Sequence, residues 1–163
     1  MEKYASQELQ QLIEKLTKAY SDEWLATVQY FHEYKYVNGI LRSKIVDELH
    51  EHMLDEMKHA NWIINRMKEL GARPVLNPSN WEANSNCEYL EPTEVDPIKI
   101  LDDAIAGERC AIEVYQDLQK FSRVIGDIKT YDIVSKILDE EIEHDQDLSS
   151  LKADVLTILS ARK

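Results

Sequence analysis

Glu56-Met57-Lys58-His59 sets a carboxylate and an imidazole three residues apart. In a helix that is one turn, so both side chains stand on one face and can reach the same metal ion. The spacing recurs as Glu141-Ile142-Glu143-His144. Each copy also has the same upstream company. Glu56 follows Glu23 by 33 residues, and Glu141 follows Glu108 by the same 33. Tyr30 lies seven residues after Glu23, and Tyr115 lies seven after Glu108. Two Glu-x-x-His pairs alone can arise by chance in so acidic a chain. With the glutamates and tyrosines matched as well, an internal repeat is the better explanation.

The candidate metal set is therefore Glu23, Glu56, His59, Glu108, Glu141 and His144. One Glu from each of two helices and one Glu-x-x-His from each of two others is the pattern of di-iron carboxylate bundles. Four carboxylates and two neutral imidazoles balance two divalent cations. Glu56 and Glu141 would bridge the metals, Glu23 and Glu108 would bind terminally, and each histidine would cap one metal. Such ligands with open positions suit iron, two per chain, or manganese; zinc could substitute without redox chemistry. The competing reading, exposed helix charges, is the common fate of a single Glu. It fits poorly here, because all six fall on apolar stripes.

Those stripes define the elements. A first helical pattern runs over 3–37, with Leu9, Leu12, Leu16 and Tyr20 leading to Glu23, Thr27 and Tyr30. A carboxylate on such a face needs a partner, since burying it alone costs several kcal/mol. Asn38-Gly39 signals a turn. A second helix over 40–70 carries Leu41, Ile45, Leu49, His52, Glu56, His59, Ile63 and Met67. Gly71 and Pro74 mark its stop. Residues 72–95 hold three of the four prolines. They read as a crossover long enough to traverse a bundle, with Trp81 and Cys87 able to pack on it. Asp96-Pro97 caps a third helix whose stripe includes Ile98, Leu101, Ala104, Glu108, Ala111, Ile112, Tyr115 and Leu118. Gly126-Asp127 breaks the pattern, and a fourth helix over 127–159 carries Tyr131, Val134, Ile137, Glu141, His144, Leu148 and Ile158. Little chain follows, so no fifth helix is expected. The fold class is all-α: a ferritin-like four-helix bundle with a long crossover between helices 2 and 3, one domain over 1–163.

Composition agrees. Gly and Pro number four each, too few for an all-β or disordered chain. The net charge of −12 suits solubility or attraction of cations and argues against DNA binding by the folded body. Arg162-Lys163 is too short a basic cluster to change that. With no apolar run near membrane-spanning length and no secretory segment, no membrane association and a cytoplasmic location are expected.

Other residues keep two readings. Asp55 and Glu140 precede the bridging glutamates and could accept the free N–H of a ligating histidine, or be solvated acids. Tyr30 and Tyr115 could hydrogen-bond a ligand carboxylate, quench an oxidising equivalent, or simply pack. His52 lies one turn before Glu56, on a metal access path or in a structural role. His32 and His50 are given no function. Cys87 and Cys110 are packed thiols or a redox-active pair; a permanent staple is not expected in a reducing compartment.

Asp22-Glu23 through Gln29-Tyr30-Phe31, then Asp55-Glu56-Met57-Lys58-His59-Ala60, closely resemble bacterioferritin. The resemblance covers most of the first two helices and, more loosely, the ligands of the last two. It implies the same six ligands and matches Met57 to the methionine that binds haem between bacterioferritin subunits. The chain departs by lacking the short fifth helix that belongs with a twenty-four-subunit cage, and by a longer crossover. That crossover, Ser79 to Cys87, together with Glu108-Arg109-Cys110-Ala111-Ile112, is similar to the Dps-like mini-ferritins, or thioferritins. This resemblance implies a homo-oligomeric, twelve-subunit cage that oxidises Fe(II) with hydrogen peroxide, stores Fe(III) and protects against oxidative stress, with a cysteine pair beside the site and without haem. A haem-containing bacterioferritin, a non-storing peroxidase or manganese catalase, and a purely structural bundle are the rivals. A rubrerythrin is disfavoured, since no Cys-x-x-Cys pairs are present.

Overall fold

A computed structural model describes residues 6–162. The expected start of the first helix at residues 3–5, and Lys163 of the basic pair, lie outside that range. The described chain holds four α-helices, α1 (Ser6–Tyr36), α2 (Arg42–Glu69), α3 (Pro97–Val124) and α4 (Ile128–Ala161), and two short 3-10 turns in the crossover, Pro78–Asn80 and Glu82–Asn84. No strand occurs among the described residues, as an all-α bundle requires. None of the described helices is long and apolar enough to cross a membrane.

Local chemistry sets the boundaries. α2 ends in a Schellman turn: Gly71 takes φ 75°, its N–H donates to Lys68 O, and Ala72 N–H donates to Met67 O at 2.9 Å. α3 ends the same way, with Gly126 at φ 72° and Asp127 N–H donating to Ser122 O at 2.9 Å. Asp127 then caps α4, accepting from Thr130 N–H at 3.3 Å. Asp96 caps α3 by accepting from the N–H groups of Ile98 and Lys99. One boundary moves. Leu41, expected within the second helix, takes φ 57° in the left-handed region, so α2 begins only at Arg42.

The short links make α1–α2 and α3–α4 antiparallel hairpins. After α2 the chain returns along the bundle, and Asn38 N–H donates to Val95 O at 2.9 Å. The crossover thus brings the start of α3 beside the start of α2, so those two helices run parallel. At the opposite end, buried Arg66 donates to both Asp127 oxygens at 2.8 and 3.1 Å and to Thr130 Oγ1 at 2.8 Å. Arg66 was not on the expected core stripe, whereas Ala111 and Ile112, which were, are only half-buried.

The apolar core forms two clusters. One gathers Leu12, Leu16, Ile63, Met67, Leu118 and Ile137; the other gathers Ile45, Leu49, Ile100, Leu101, Leu148 and Val155. A polar layer lies between them at mid-bundle.

Glu33, fully buried on α1, is outside that layer. Burial, helped by the Asp103 charge and opposed by the Gln29 hydrogen bond, takes its carboxyl from the ordinary 4.5 to about 8. Below 4.5 both folded and unfolded chains hold this proton. Between 4.5 and 8 only the folded chain does, so stability falls as pH rises through that window. Glu33→Gln is expected to remove this decline, on the order of 5 kcal/mol, in melts of variant and parent across the window.

Candidate metal centre

Each of the six candidate residues comes from a helix face that is apolar above and below it, so the fold carries all six inward. Glu23, Glu56, His59, Glu108, Glu141 and His144 are each at most 4% exposed. They form two overlapping groups: Glu23, Glu56, His59 and Glu141, and Glu56, Glu108, Glu141 and His144. Within each group one potential ligand atom per residue lies within 4.8 Å of the others. Glu56 and Glu141 belong to both.

The contacts cross between the two halves of the chain. His59 Nδ1 lies 3.1 Å from Glu141 and 3.5 Å from Glu23 and from Glu56. His144 Nδ1 lies 3.4 Å from Glu56, 3.5 Å from Glu141 and 3.7 Å from Glu108. Both Nδ1 atoms, both Glu141 oxygens, Glu56 Oε1 and Glu23 Oε2 are buried without a hydrogen-bond partner. Orphaned donor atoms of this kind are costly unless something joins them. An oxygen and imidazole set facing one small space suits two first-row divalent cations.

Asp55, Glu140, Tyr30 and Tyr115 contact the group from outside. His59 Nε2 hydrogen-bonds Glu140 at 2.7 Å, and His144 Nε2 lies 3.3 Å from Asp55. Each imidazole is therefore oriented by an acid from the opposite helix, leaving Nδ1 inward. Lys58 bridges those acids, at 2.6 Å from Asp55 and 2.8 Å from Glu140. Tyr30 donates its hydroxyl proton to Glu108, and Tyr115 donates to Glu23. Both tyrosines are buried, so these hydroxyls are used rather than merely packed.

Electrostatics follow from the crowding. Burial, then the charge of Glu56, raises Glu23 well above the usual carboxylate range; burial, then Glu141, does the same to Glu108. Burial opposes charge on His59 and His144, but the surrounding carboxylates outweigh it and raise both. Glu56 is held low despite burial by His144 and His59.

Met57 is 41% exposed and stands apart from the buried group. Cys87 and Cys110 are joined by a disulfide, with their Cα atoms 5.9 Å apart. The bond fastens the crossover to α3, two residues from Glu108. Asp22, which the sequence marks only as part of the bacterioferritin-like run, fastens it to α1. Its carboxylate accepts from the N–H groups of Asn86 and Cys87 at 2.7 and 2.9 Å and from the Asn86 amide at 2.6 Å. The signal was only its adjacency to Glu23. Trp81 stacks on Trp24 with centroids 5.5 Å apart. Beneath this cover a cavity of about 50 Å³ reaches Glu23, Glu56, Glu108 and Glu141, walled by Cys87 and Tyr89.

A sequence profile of the ferritin-like domain family matches residues 13–155. The chain is 29% identical over 143 residues to the DNA protection during starvation protein of Pyrococcus furiosus, covering 85% of this chain and 75% of that protein. It is 26% identical over 135 residues to a bacterioferritin of Rhodobacter capsulatus, covering 82% and 77%. Among solved structures, the dodecameric thioferritin characterised as the bacterioferritin-related protein from Bacteroides fragilis superposes with a TM-score of 0.91, at 37% identity, over 94% of this chain and 90% of that one.

Proposed function

The chain belongs to the ferritin-like domain family, and from that premise we propose that it is a mini-ferritin. One ferritin-like domain, 1–163, takes two Fe(II) as substrate, oxidises them with hydrogen peroxide and stores Fe(III) in a twelve-subunit homo-oligomeric cage, in the cytoplasm. The observation that carries the reading is the pair of overlapping buried groups sharing Glu56 and Glu141. Glu23 and His59 complete one iron position, and Glu108 and His144 complete the other. Manganese or zinc would fit the same donors. The dodecameric thioferritin neighbour supports the cage.

In the reaction two Fe(II) each give one electron to a single peroxide, which takes up two protons and leaves as two waters. The chain's part is to hold four carboxylates and two imidazoles in place before iron arrives, so that little reorganisation accompanies oxidation. Tyr30 and Tyr115 fix the terminal carboxylates; Asp55 and Glu140 fix the imidazoles. The cysteines serve as a reversible pair. A thiol reductant supplying two electrons and two protons would open the disulfide to two thiols and release the crossover from α3.

The test is anaerobic Fe(II) loading followed by stoichiometric peroxide, with oxidation followed optically and assembly mass measured. Fast oxidation with peroxide, slower with oxygen, and hundreds of irons per cage are expected. A monomer that takes up no iron overturns the reading. Tyr115→Phe is expected to weaken the Glu23 half and Tyr30→Phe the Glu108 half, each by roughly 10–100-fold in Mn(II) affinity. Competition titration of each variant would check this.

A further inference from the structure

Gly107 stands inside α3 with nothing around it that demands a glycine. The other three glycines, Gly39, Gly71 and Gly126, lie in turns at positive φ. Gly107 is helical, and a Cβ built on it would meet no atom within 4 Å. Neither backbone strain nor close packing therefore excludes a side chain there. A glycine inside a helix weakens it relative to alanine, so the stability of the fold does not explain the bare position.

What the missing side chain leaves is space. Ala104, Gly107, Glu108 and Ala111 fall at the three- and four-residue spacing of one helix face, and all four line the cavity beneath the crossover. Its lining runs from exposed Glu88 to buried Glu56 and Glu141. Glu56 Oε1 and both Glu141 oxygens have no hydrogen-bond partner. The cavity holds about 50 Å³. A water needs roughly 10–15 Å³ of such space, so a molecule the size of hydrogen peroxide fits and a branched organic hydroperoxide does not. No lysine, arginine or histidine is among the described residues that line it. An anion finds no cationic partner there, whereas a small neutral molecule with O–H donors meets carboxylate oxygens.

We propose that this cavity is the entry pocket for the oxidant, and that Gly107 limits it to molecules of the size of hydrogen peroxide. The proposal rests on the function proposed above. Gly107 is not one of the six inner residues and acts by leaving room. A side chain at Gly107 would project from the cavity face of α3 into that room while the six stay in place.

The experiment compares the assembled parent with Gly107→Ala and Gly107→Leu. Gly107→Leu is expected to slow Fe(II) oxidation by hydrogen peroxide roughly 10–100-fold, with Gly107→Ala between it and the parent. Mn(II) affinity and uptake rate should match the parent in both. The metal-free crystal structure of Gly107→Leu should show the leucine in the cavity and the six inner residues unmoved. Scaled to the rates of the two oxidants with free Fe(II), the parent should use tert-butyl hydroperoxide roughly 10-fold or more slower than hydrogen peroxide. Gly107→Ala, which should melt at or above the parent, keeps the test decisive if Gly107→Leu fails to fold. An unchanged peroxide rate in the variants, a leucine that points away from the cavity, or equal use of both oxidants by the parent overturns the proposal. Slower Mn(II) uptake by Gly107→Leu overturns it too, by marking a cation route instead. A parent that binds no Mn(II) and oxidises no Fe(II) overturns the proposed function itself.

Discussion

Glu141→Gln is expected to abolish Fe(II) oxidation while leaving the bundle folded. Glu141 is fully buried, belongs to both ligand groups, and has two oxygens without hydrogen-bond partners. Gln keeps the shape but removes a charge, and its amide nitrogen cannot ligate. Two divalent cations would then face three carboxylates, leaving uncompensated positive charge in a buried site. A fall of roughly 100-fold or more in oxidation rate is expected, beyond what loss of an outer hydrogen bond causes. The folded control is a circular dichroism melt within a few degrees of the parent. The specificity control is Met57→Ala, whose exposed side chain lies outside the group and whose oxidation rate should match the parent. A Glu141→Gln protein that oxidises Fe(II) normally would remove Glu141 from the site.

Mn(II) added to chelator-stripped protein is expected to raise the melting temperature markedly. Without cations the site holds carboxylates that burial and mutual charge push upward, and two imidazoles raised by those same carboxylates. A cation at 100-fold over its dissociation constant adds about 2.7 kcal/mol per site. For a chain of this length that is roughly 5–10 °C per site filled. The sign with pH is fixed by the donors. Cations need neutral imidazoles and ionised carboxylates, so protons and cations compete, and binding releases protons. The Mn(II)-dependent rise should therefore be largest at high pH and shrink as pH falls. Parallel melts at about pH 8 and about pH 5 would show it, and a rise that grows at the lower pH would contradict the donor assignment.

The helix ends were legible because their signals are local. Asp96-Pro97, Gly71 and Gly126-Asp127 act through backbone groups within one turn of themselves, and each does so here. The six polar residues on apolar stripes were legible because a 3.6-residue period carries a side chain to the core whatever its polarity. Leu41 was misread, since its left-handed backbone depends on how the α1–α2 turn closes. Arg66 was missed because a charged residue reads as surface until its partner is known, and Asp127 lies 61 residues away. Asp22 was missed for the same reason: its partners are N–H groups on the crossover.

What the sequence determined alone was therefore membership: which residues turn inward, and that they come as two equal sets around Glu56-Met57-Lys58-His59 and its later copy. What only the tertiary structure decided was partnership. Tyr30 of α1 serves Glu108 of α3, and Tyr115 of α3 serves Glu23 of α1. Asp55 of α2 faces His144 of α4, and Glu140 of α4 faces His59 of α2. A repeat fixes spacing within each half, but hydrogen bonds between halves depend on how the two hairpins are laid together. That arrangement is set by the crossover and by core packing far from the site in sequence.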